Sequence, residues 1–203
     1  MQLEVIQMLI SLVGKSGSGK TTIAKTLASY DKNIFHIDVD KISHQVLTYP
    51  KIRERIKTEI SATCVDNDLI KRKKLGQIVF KNPQMMEKLT NITWPSMEKI
   101  IDTIIENNSQ KIILLDWVLL PKTKYFNQST LKIWVEAPQE ERFMRIINRS
   151  GQQDTITKAY FLQRDTASTN YNEEKYDIVI NNSQNTSLTE EVKKLYEKSI
   201  ISR

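Results

Sequence analysis

Gly14-Lys15-Ser16-Gly17-Ser18-Gly19-Lys20-Thr21 is the most informative stretch of the chain, and it satisfies the pattern GxxxxGK[ST]. An apolar, branched run at residues 5–13 (VIQMLISLV) leads into it. Residues 21–30 follow with apolar side chains at helical spacing through Ile23, Leu27 and Tyr30. A glycine-rich loop between a strand and a helix lets backbone N–H groups converge on phosphate, and the helix N-terminus adds partial positive charge. In such a loop Lys20 reaches the β- and γ-phosphates and the Thr21 hydroxyl ligates Mg²⁺. The candidate nucleotide-binding residues are therefore Gly14, Lys15, Ser16, Gly17, Ser18, Gly19, Lys20, Thr21 and Thr22.

Beyond the loop, strands and helices alternate. A short strand at residues 34–37 ends in Asp38-Val39-Asp40 and yields to a helical pattern at 41–47. Residues 50–108 read as several helices without a strand, Pro95 marking a break or a helix start. Buried-type strands follow at 111–117, 131–136 and 176–180. Ser187-Leu-Thr-Glu190 has the form of a capping box opening an amphipathic helix through Val192, Leu195 and Tyr196. This order predicts a parallel α/β sheet with helices on both faces.

Composition narrows the class. At 203 residues, 39% hydrophobic and 27% charged, the chain suits one domain with a small insert or lid, and it is too short for two independent enzyme domains. The net charge of +6 favours polyanions, whether nucleic acid, anionic lipid or phosphorylated small molecules. The single cysteine, Cys64, rules out an internal disulfide, and 2 histidines leave no Cys/His set for zinc. With no apolar run of about 18 residues and no basic segment ahead of the first apolar stretch, a cytoplasmic protein is expected.

A phosphate loop does not name a reaction. The guanine-reading NKxD element is missing, and large motor or transporter ATPases need more chain, so small-molecule kinases remain. Asp38 and Asp40, at the end of the second strand, either position and deprotonate an acceptor hydroxyl or cap the next helix. Asp116 follows four apolar residues at 112–115. It is either a Walker B acid assisting Mg²⁺ through water or an ordinary strand-end acid. Arg142, Arg145 and Arg149, at spacings of three and four, share one side of a helix. Arg149 precedes the polar Ser150-Gly151-Gln152-Gln153, suited to a lid; the alternative is a solvated helix face. Lys71-Arg72-Lys73-Lys74 is a nucleic-acid patch or a solvated helix start, and without interleaved aromatics the second reading is favoured. His36, His44 and Cys64 are isolated and read as structural, and Trp94-Pro95 reads as packing.

With these residues in view, the chain resembles the dephospho-coenzyme A kinase family. Ile37-Asp38-Val39-Asp40 followed by Ser43-His44-Gln45-Val46 is similar to the family's IDAD…RQV segment. Residues 68–80, from Asp68 through Arg72 and Leu75 to Phe80, resemble its DG-x-[LI]-x-R-xx-L stretch. Asp116-Trp117-Val118-Leu119-Leu120 resembles D-x-P-L-L, Arg145-Ile-Ile-Asn-Arg149 its lid-entry R-x-x-x-R, and Val179-Ile180-Asn181-Asn182 its closing VIDN. Trp94-Pro95 stands where the family has His-Pro, and Val118 where it has proline. The resemblance implies an α/β fold, a P-loop NTPase three-layer sandwich around a central five-stranded parallel sheet. It also implies a helical acceptor-binding insert at about 48–110 and a short lid at about 149–158. ATP with Mg²⁺ and dephospho-coenzyme A are the implied ligands. Asp40 would be the base, Lys20 and Arg149 would serve the transferring phosphoryl, and Asn182 would lie near the adenine. Asp38, Arg72 and Leu119 would meet the acceptor, and Thr21 and Asp116 the metal. No nucleic-acid or membrane partner is expected, and the chain should be a monomer or weak homo-oligomer. Two alternatives stay open: a nucleoside or nucleotide kinase of the same architecture, and a nucleotide-dependent nucleic-acid-binding protein.

Overall fold

The structure, a computed structural model, describes residues 7–150, 157–166, 168, 172 and 175–201. It divides into two compact units, Met1–Asp38 with Asn108–Arg203, and Val39–Asn107. Most of the stretch expected as a helical insert, about 48–110, falls in the second, and most of the expected lid, including Gly151, lies outside the described residues.

The first unit is built on a five-stranded sheet. Its strands are β1 (Leu9–Val13), β2 (Ile34–Asp38), β5 (Ile112–Asp116), β6 (Leu131–Glu136) and β7 (Ile178–Asn181). Their order is β2-β5-β1-β6-β7, and all four pairings are parallel. β1 is buried at every residue, as a central strand covered on both faces must be. Ile10 and Leu12 join Leu114, Ile133 and Val135 in one core, covered by Ile23, Ala24 and Leu27 of α1 (Lys20–Tyr30). Val192 and Leu195 of α9 (Leu188–Leu195) complete that layer. On the other face α6 (Lys124–Gln128) brings Tyr125 and Phe126 into the interior. There the buried Ser11 hydroxyl bonds the Ser129 hydroxyl at 2.7 Å, which in turn donates to the Tyr125 carbonyl at 2.8 Å. A polar group in the central strand is thus satisfied. Ser187 precedes α9, but its hydroxyl makes no capping hydrogen bond. The expected capping box is absent. The entry is organised instead by a turn in which Thr186 N–H donates to the Ser183 carbonyl at 3.0 Å while their hydroxyls share a bond of 2.9 Å.

The second unit has its own core of Ile52, Ile56, Cys64, Leu75, Val79 and Ile92. These come from α3 (Pro50–Glu59), α4 (Arg72–Val79), α5 (Pro83–Asn107) and a 3-10 turn; α2 (Val39–Val46) opens the unit. Burial pushes the Cys64 thiol above its ordinary range despite the opposing Lys74 charge, in keeping with a structural cysteine. α5 begins where Asn82 Oδ1 accepts from the N–H groups of Gln84 (3.0 Å) and Met85 (3.3 Å), with proline at the first helical position. Contrary to the break or helix start expected at Pro95, the 25-residue α5 runs through it. Pro95 removes the N–H that would have bonded the Asn91 carbonyl and its ring crowds that carbonyl, while Ile92, Met97 and Ile101 stay buried on either side of it.

A second departure is a small hairpin, β3 (Val65–Asp66) with β4 (Leu69–Ile70), antiparallel, where no strand was expected. Its two turn residues, Asn67 (φ 45°) and Asp68 (φ 59°), are both left-handed, as a tight hairpin turn requires. Asp68 also lies 3.6 Å from Arg53, but its carboxylate is exposed and the pair adds little. Asp68→Ala should cost about 1 kcal/mol and Asp68→Gly should not, because both lose the pair and only alanine opposes the positive φ. Equal urea midpoints for the two variants would contradict this.

Candidate active site

β1 ends at Val13, and the Gly14 to Gly19 loop enters α1 directly. Strands β5 and β6 flank β1 on opposite sides, so the loop lies at the carboxyl edge of the sheet where the strand order switches, the usual ligand position in such sheets. Gly17 (φ 80°) and Gly19 (φ 101°) take left-handed backbone. A Cβ on Gly17 would come within 2.5 Å of the Arg142 carbonyl, and one on Gly19 within 2.1 Å of Asn182 Nδ2. Both are glycine for conformation and for closeness of approach.

Every carbonyl from Lys15 to Gly19 has a donor. Lys15 C=O accepts from Ser18 N–H at 3.1 Å and from Lys20 Nζ at 3.3 Å. Ser16 C=O accepts from Arg142 Nη1 and Gly17 C=O from Arg145 Nη1, each at 3.4 Å. Ser18 C=O takes the Asn182 side-chain amide at 2.7 Å, and Gly19 C=O takes Ile23 N–H at 3.0 Å. In a trans peptide the N–H points opposite to the C=O. Holding the Ser16, Ser18 and Gly19 carbonyls therefore turns the Gly17, Gly19 and Lys20 N–H groups the other way, as a phosphate cradle needs.

The arginines come from α7 (Gln139–Ser150). Arg142 is buried, donates through Nε to Ala137 C=O at 3.1 Å, and pairs through both terminal nitrogens with Asp165 of α8 (Lys158–Thr166). Gln139 also donates to Asp165, at 2.9 Å, and Lys15 Nζ reaches the Asp165 main-chain carbonyl at 3.2 Å and its carboxylate at 3.6 Å. Burial alone would raise the Asp165 carboxyl, but hydrogen bonds from Arg142 and Gln139 and the charges of Arg142 and Lys15 outweigh it and hold the group at about 2. Arg145 donates to Asn182 C=O at 2.8 Å and to Glu141 at 2.9 Å.

Asp116, at the buried end of β5, accepts from the Thr21 hydroxyl at 2.7 Å, with His36 Nε2 3.5 Å away. A hydroxyl beside a carboxylate is a hard-oxygen pair that suits Mg²⁺, an ion that takes few protein ligands and completes its shell with phosphate and water. Among the described residues no group of three or more His, Cys, Asp or Glu could hold an ion by itself, so the fit is to a metal arriving with a nucleotide. Asp38 is level with Asp116 in the β2/β5 register. Leu119 lies just past β5, half-buried at the start of a 3-10 turn. Thr22 is exposed on α1.

Gly14 to Thr22, Asp38, Asp116, Leu119 and Asn182 thus belong to one unit, and Asp40 and Arg72 to the other. Asp40 is exposed in the first turn of α2, where an acid also complements the helix dipole. Arg72 opens α4 within an exposed run of four cations, and Lys71 pairs with Asp66 at 2.8 Å. Arg149 is exposed in the last turn of α7. Sequence reasoning weighted Arg149 over Arg142 and Arg145, yet it is these two that touch the loop. It passed over Asp165, whose partners lie 23 and 150 positions away.

Two outcomes follow from this geometry. Gly17→Ala should displace the loop from α7, because the clash is with backbone and no rotamer relieves it; an unchanged melting temperature and unchanged nucleotide binding would refute that. Because Asp165 is depressed in the folded state, its contribution is present above about pH 4 and lost as pH falls through about 2. Wild-type protein should therefore lose about 2 kcal/mol more stability than Asp165→Asn between pH 5 and pH 2, measured by denaturant titration.

Comparison with known proteins agrees with this architecture. A family model described as dephospho-CoA kinase matches residues 8–187. A curated dephospho-CoA kinase of Dehalococcoides mccartyi is 34% identical over 182 residues, 86% of this chain and 88% of that protein. One of Aquifex aeolicus is 32% identical over 197 residues, 93% of this chain and 96% of its own length. Among solved structures, TT1252 from Thermus thermophilus shares the fold with a TM-score of 0.76 at 21% identity, covering 96% of this chain and 98% of that one. The dephospho-CoA kinase from Campylobacter jejuni does so with a TM-score of 0.56 at 22% identity, with the same coverage. A match that starts one residue before β1 and stops one residue before α9 takes in both compact units, and on that extent the chain belongs to the dephospho-CoA kinase family.

Proposed function

We propose that this chain transfers the γ-phosphate of ATP to the ribose 3′-hydroxyl of dephospho-coenzyme A, the last step of coenzyme A biosynthesis. The observation that carries the reading is the family match across residues 8–187, joined to a loop whose carbonyls from Lys15 to Gly19 are engaged, which turns the Gly17, Gly19 and Lys20 N–H groups the other way.

The loop amides and Lys20 bind the triphosphate and neutralise charge as the γ-phosphoryl leaves. Asn182 serves ATP through the loop, its amide holding the Ser18 carbonyl at 2.7 Å. Thr21, with Asp116 behind a water, would hold Mg²⁺, which would offset the negative charge of the phosphates. Asp40 accepts the proton of the attacking 3′-hydroxyl, and Asp38, Arg72 and Leu119 contribute to holding the acceptor. Arg149, at the end of α7, approaches the transferring group from the lid side, so that water is excluded and ATP is not simply hydrolysed. No helix among the described residues is long and apolar enough to cross a membrane.

Purified protein with Mg·ATP should form coenzyme A from dephospho-coenzyme A and give little ADP with a panel of nucleosides and nucleotides. Turnover confined to one of those other acceptors would replace the reading. Asp40→Asn should lower kcat by about 10²- to 10⁴-fold, as expected for loss of a general base, with the KM for ATP changed by less than about threefold. Equal losses in turnover and ATP binding would make Asp40 structural.

A further inference from the structure

Asp165 is the acid that neither the motif nor the proposed chemistry uses, yet it is buried next to the phosphate loop. Both of its carboxylate oxygens accept from Arg142, one also from Gln139, and Lys15 of the loop lies 3.6 Å away. The same Arg142 guanidinium donates to the Ser16 carbonyl, and its planar fork leaves little freedom once Asp165 and the Ala137 carbonyl are engaged. The Phe161 ring, one turn before Asp165, lies 5.7 Å from the Arg142 guanidinium. The loop also meets α7 by backbone, since Gly17 leaves no room for a Cβ against the Arg142 carbonyl.

We propose that Asp165 is a positioning residue for ATP: acting through Arg142 and Lys15, it holds the phosphate loop in the form that receives the triphosphate. The inference rests on the ATP-dependent reading above and adds a residue that the loop pattern does not contain. Asp165 fixes the Arg142 fork, and the fork fixes the Ser16 carbonyl. The trans peptide then sets the direction of the Gly17 N–H. In parallel, Asp165 holds Lys15 at the C-terminal end of α8, where the helix carbonyls also favour a cation. Remove the carboxylate and a buried guanidinium loses its counter-charge while the Lys15 ammonium loses one of its partners. Both would then be free to reorganise the loop around themselves. A purely structural ion pair would affect folding alone, and a charge-sequestering acid would weaken ATP binding, so that its removal improved affinity.

The experiment compares wild type, Asp165→Asn and the double variant Arg142→Gln/Asp165→Gln. ATP binding is measured by calorimetric titration with Mg²⁺ and no acceptor, alongside steady-state kinetics and thermal unfolding. Asp165→Asn should weaken ATP binding about tenfold or more while the KM for dephospho-coenzyme A moves less than about threefold. The double variant, which replaces the ion pair by two amides able to bond each other and leaves no unpaired buried charge, lacks both the guanidinium fork on the Ser16 carbonyl and the carboxylate that holds Lys15, and it should stay about tenfold or more weaker than wild type for ATP. It also serves as the folded comparator if the single variant does not fold. ATP affinity unchanged or improved in Asp165→Asn overturns the proposal, as does a folded double variant that binds ATP within about threefold of wild type, which would reduce the single variant's defect to an uncompensated charge. Wild type that binds ATP yet makes no coenzyme A defeats the acceptor assignment alone, since the titration is read without acceptor.

Discussion

The phosphate loop is short and local in sequence, but its backbone is oriented from far away. Three of the side chains that hold its carbonyls or its first lysine, Arg142, Arg145 and Asn182, stand 126, 128 and 164 positions from the residues they bind. They arrive because the sheet delivers them. β6 pairs with β1 so that Trp134 is level with Val13, and β7 pairs with β6 so that Asn181 is level with Glu136. The next residue, Asn182, ties its own N–H to the Glu136 carbonyl at 2.8 Å and sends its side chain to Ser18. A register slip in either strand would turn each side chain to the wrong face of the sheet. Sheet register and phosphate affinity are therefore one constraint at this edge, which is why a motif of eight residues needs most of a domain to work.

The division of the chain gives the two acids after β2 different settings. Asp38 closes a strand of the unit that carries the loop, level with Asp116, whereas Asp40 begins a helix of the unit that carries Arg72. One residue separates their environments. An acid at a strand end is fixed by the ladder beneath it, while an acid in the first turn of a short helix follows that helix. In the proposed reaction the triphosphate side is thus built on sheet edge and loop, and the acceptor side on helices with a core of their own.

What the sequence revealed about this molecule was what is encoded locally. The loop pattern, the apolar strands and the 3.6-residue spacing of α1 and α9 each depend on neighbours in the chain, and all five strands of the sheet lie within a few residues of where periodicity puts them. The misses have physical causes. Asn67 and Asp68 lack the glycine that usually marks a left-handed turn, so nothing local sets the hairpin they close apart from the helices around it. Pro95 removes one donor from α5 and signals a break or a helix start, although burial on both sides carries the helix past it. In α7 the arginines were found by spacing, but spacing says which residues share a side and not what that side meets. Asp165 left no local signal: it is one acid at the end of a nine-residue helix, and its meaning comes entirely from Arg142 and Lys15.

The buried Arg142–Asp165 pair is better understood through direction than through stability. Removing two charges from water costs about as much as their attraction returns, so an apolar pair of equal volume would serve the core as well or better. Such a pair could not, however, donate to the Ser16 and Ala137 carbonyls while remaining neutral overall. A lone arginine could donate, but it would leave an unbalanced charge beside the loop and compete for any phosphate that entered. Pairing it with an acid keeps the donor and removes the competition. The remaining cations on the loop, Lys15 and Lys20, then differ in their attachments: Lys15 is held by α8, and Lys20 folds back on the loop's own Lys15 carbonyl at 3.3 Å. A lysine held by a carboxylate gives up that contact less readily than it would a neutral carbonyl, so the Asp165 pairing keeps Lys15 at the end of α8.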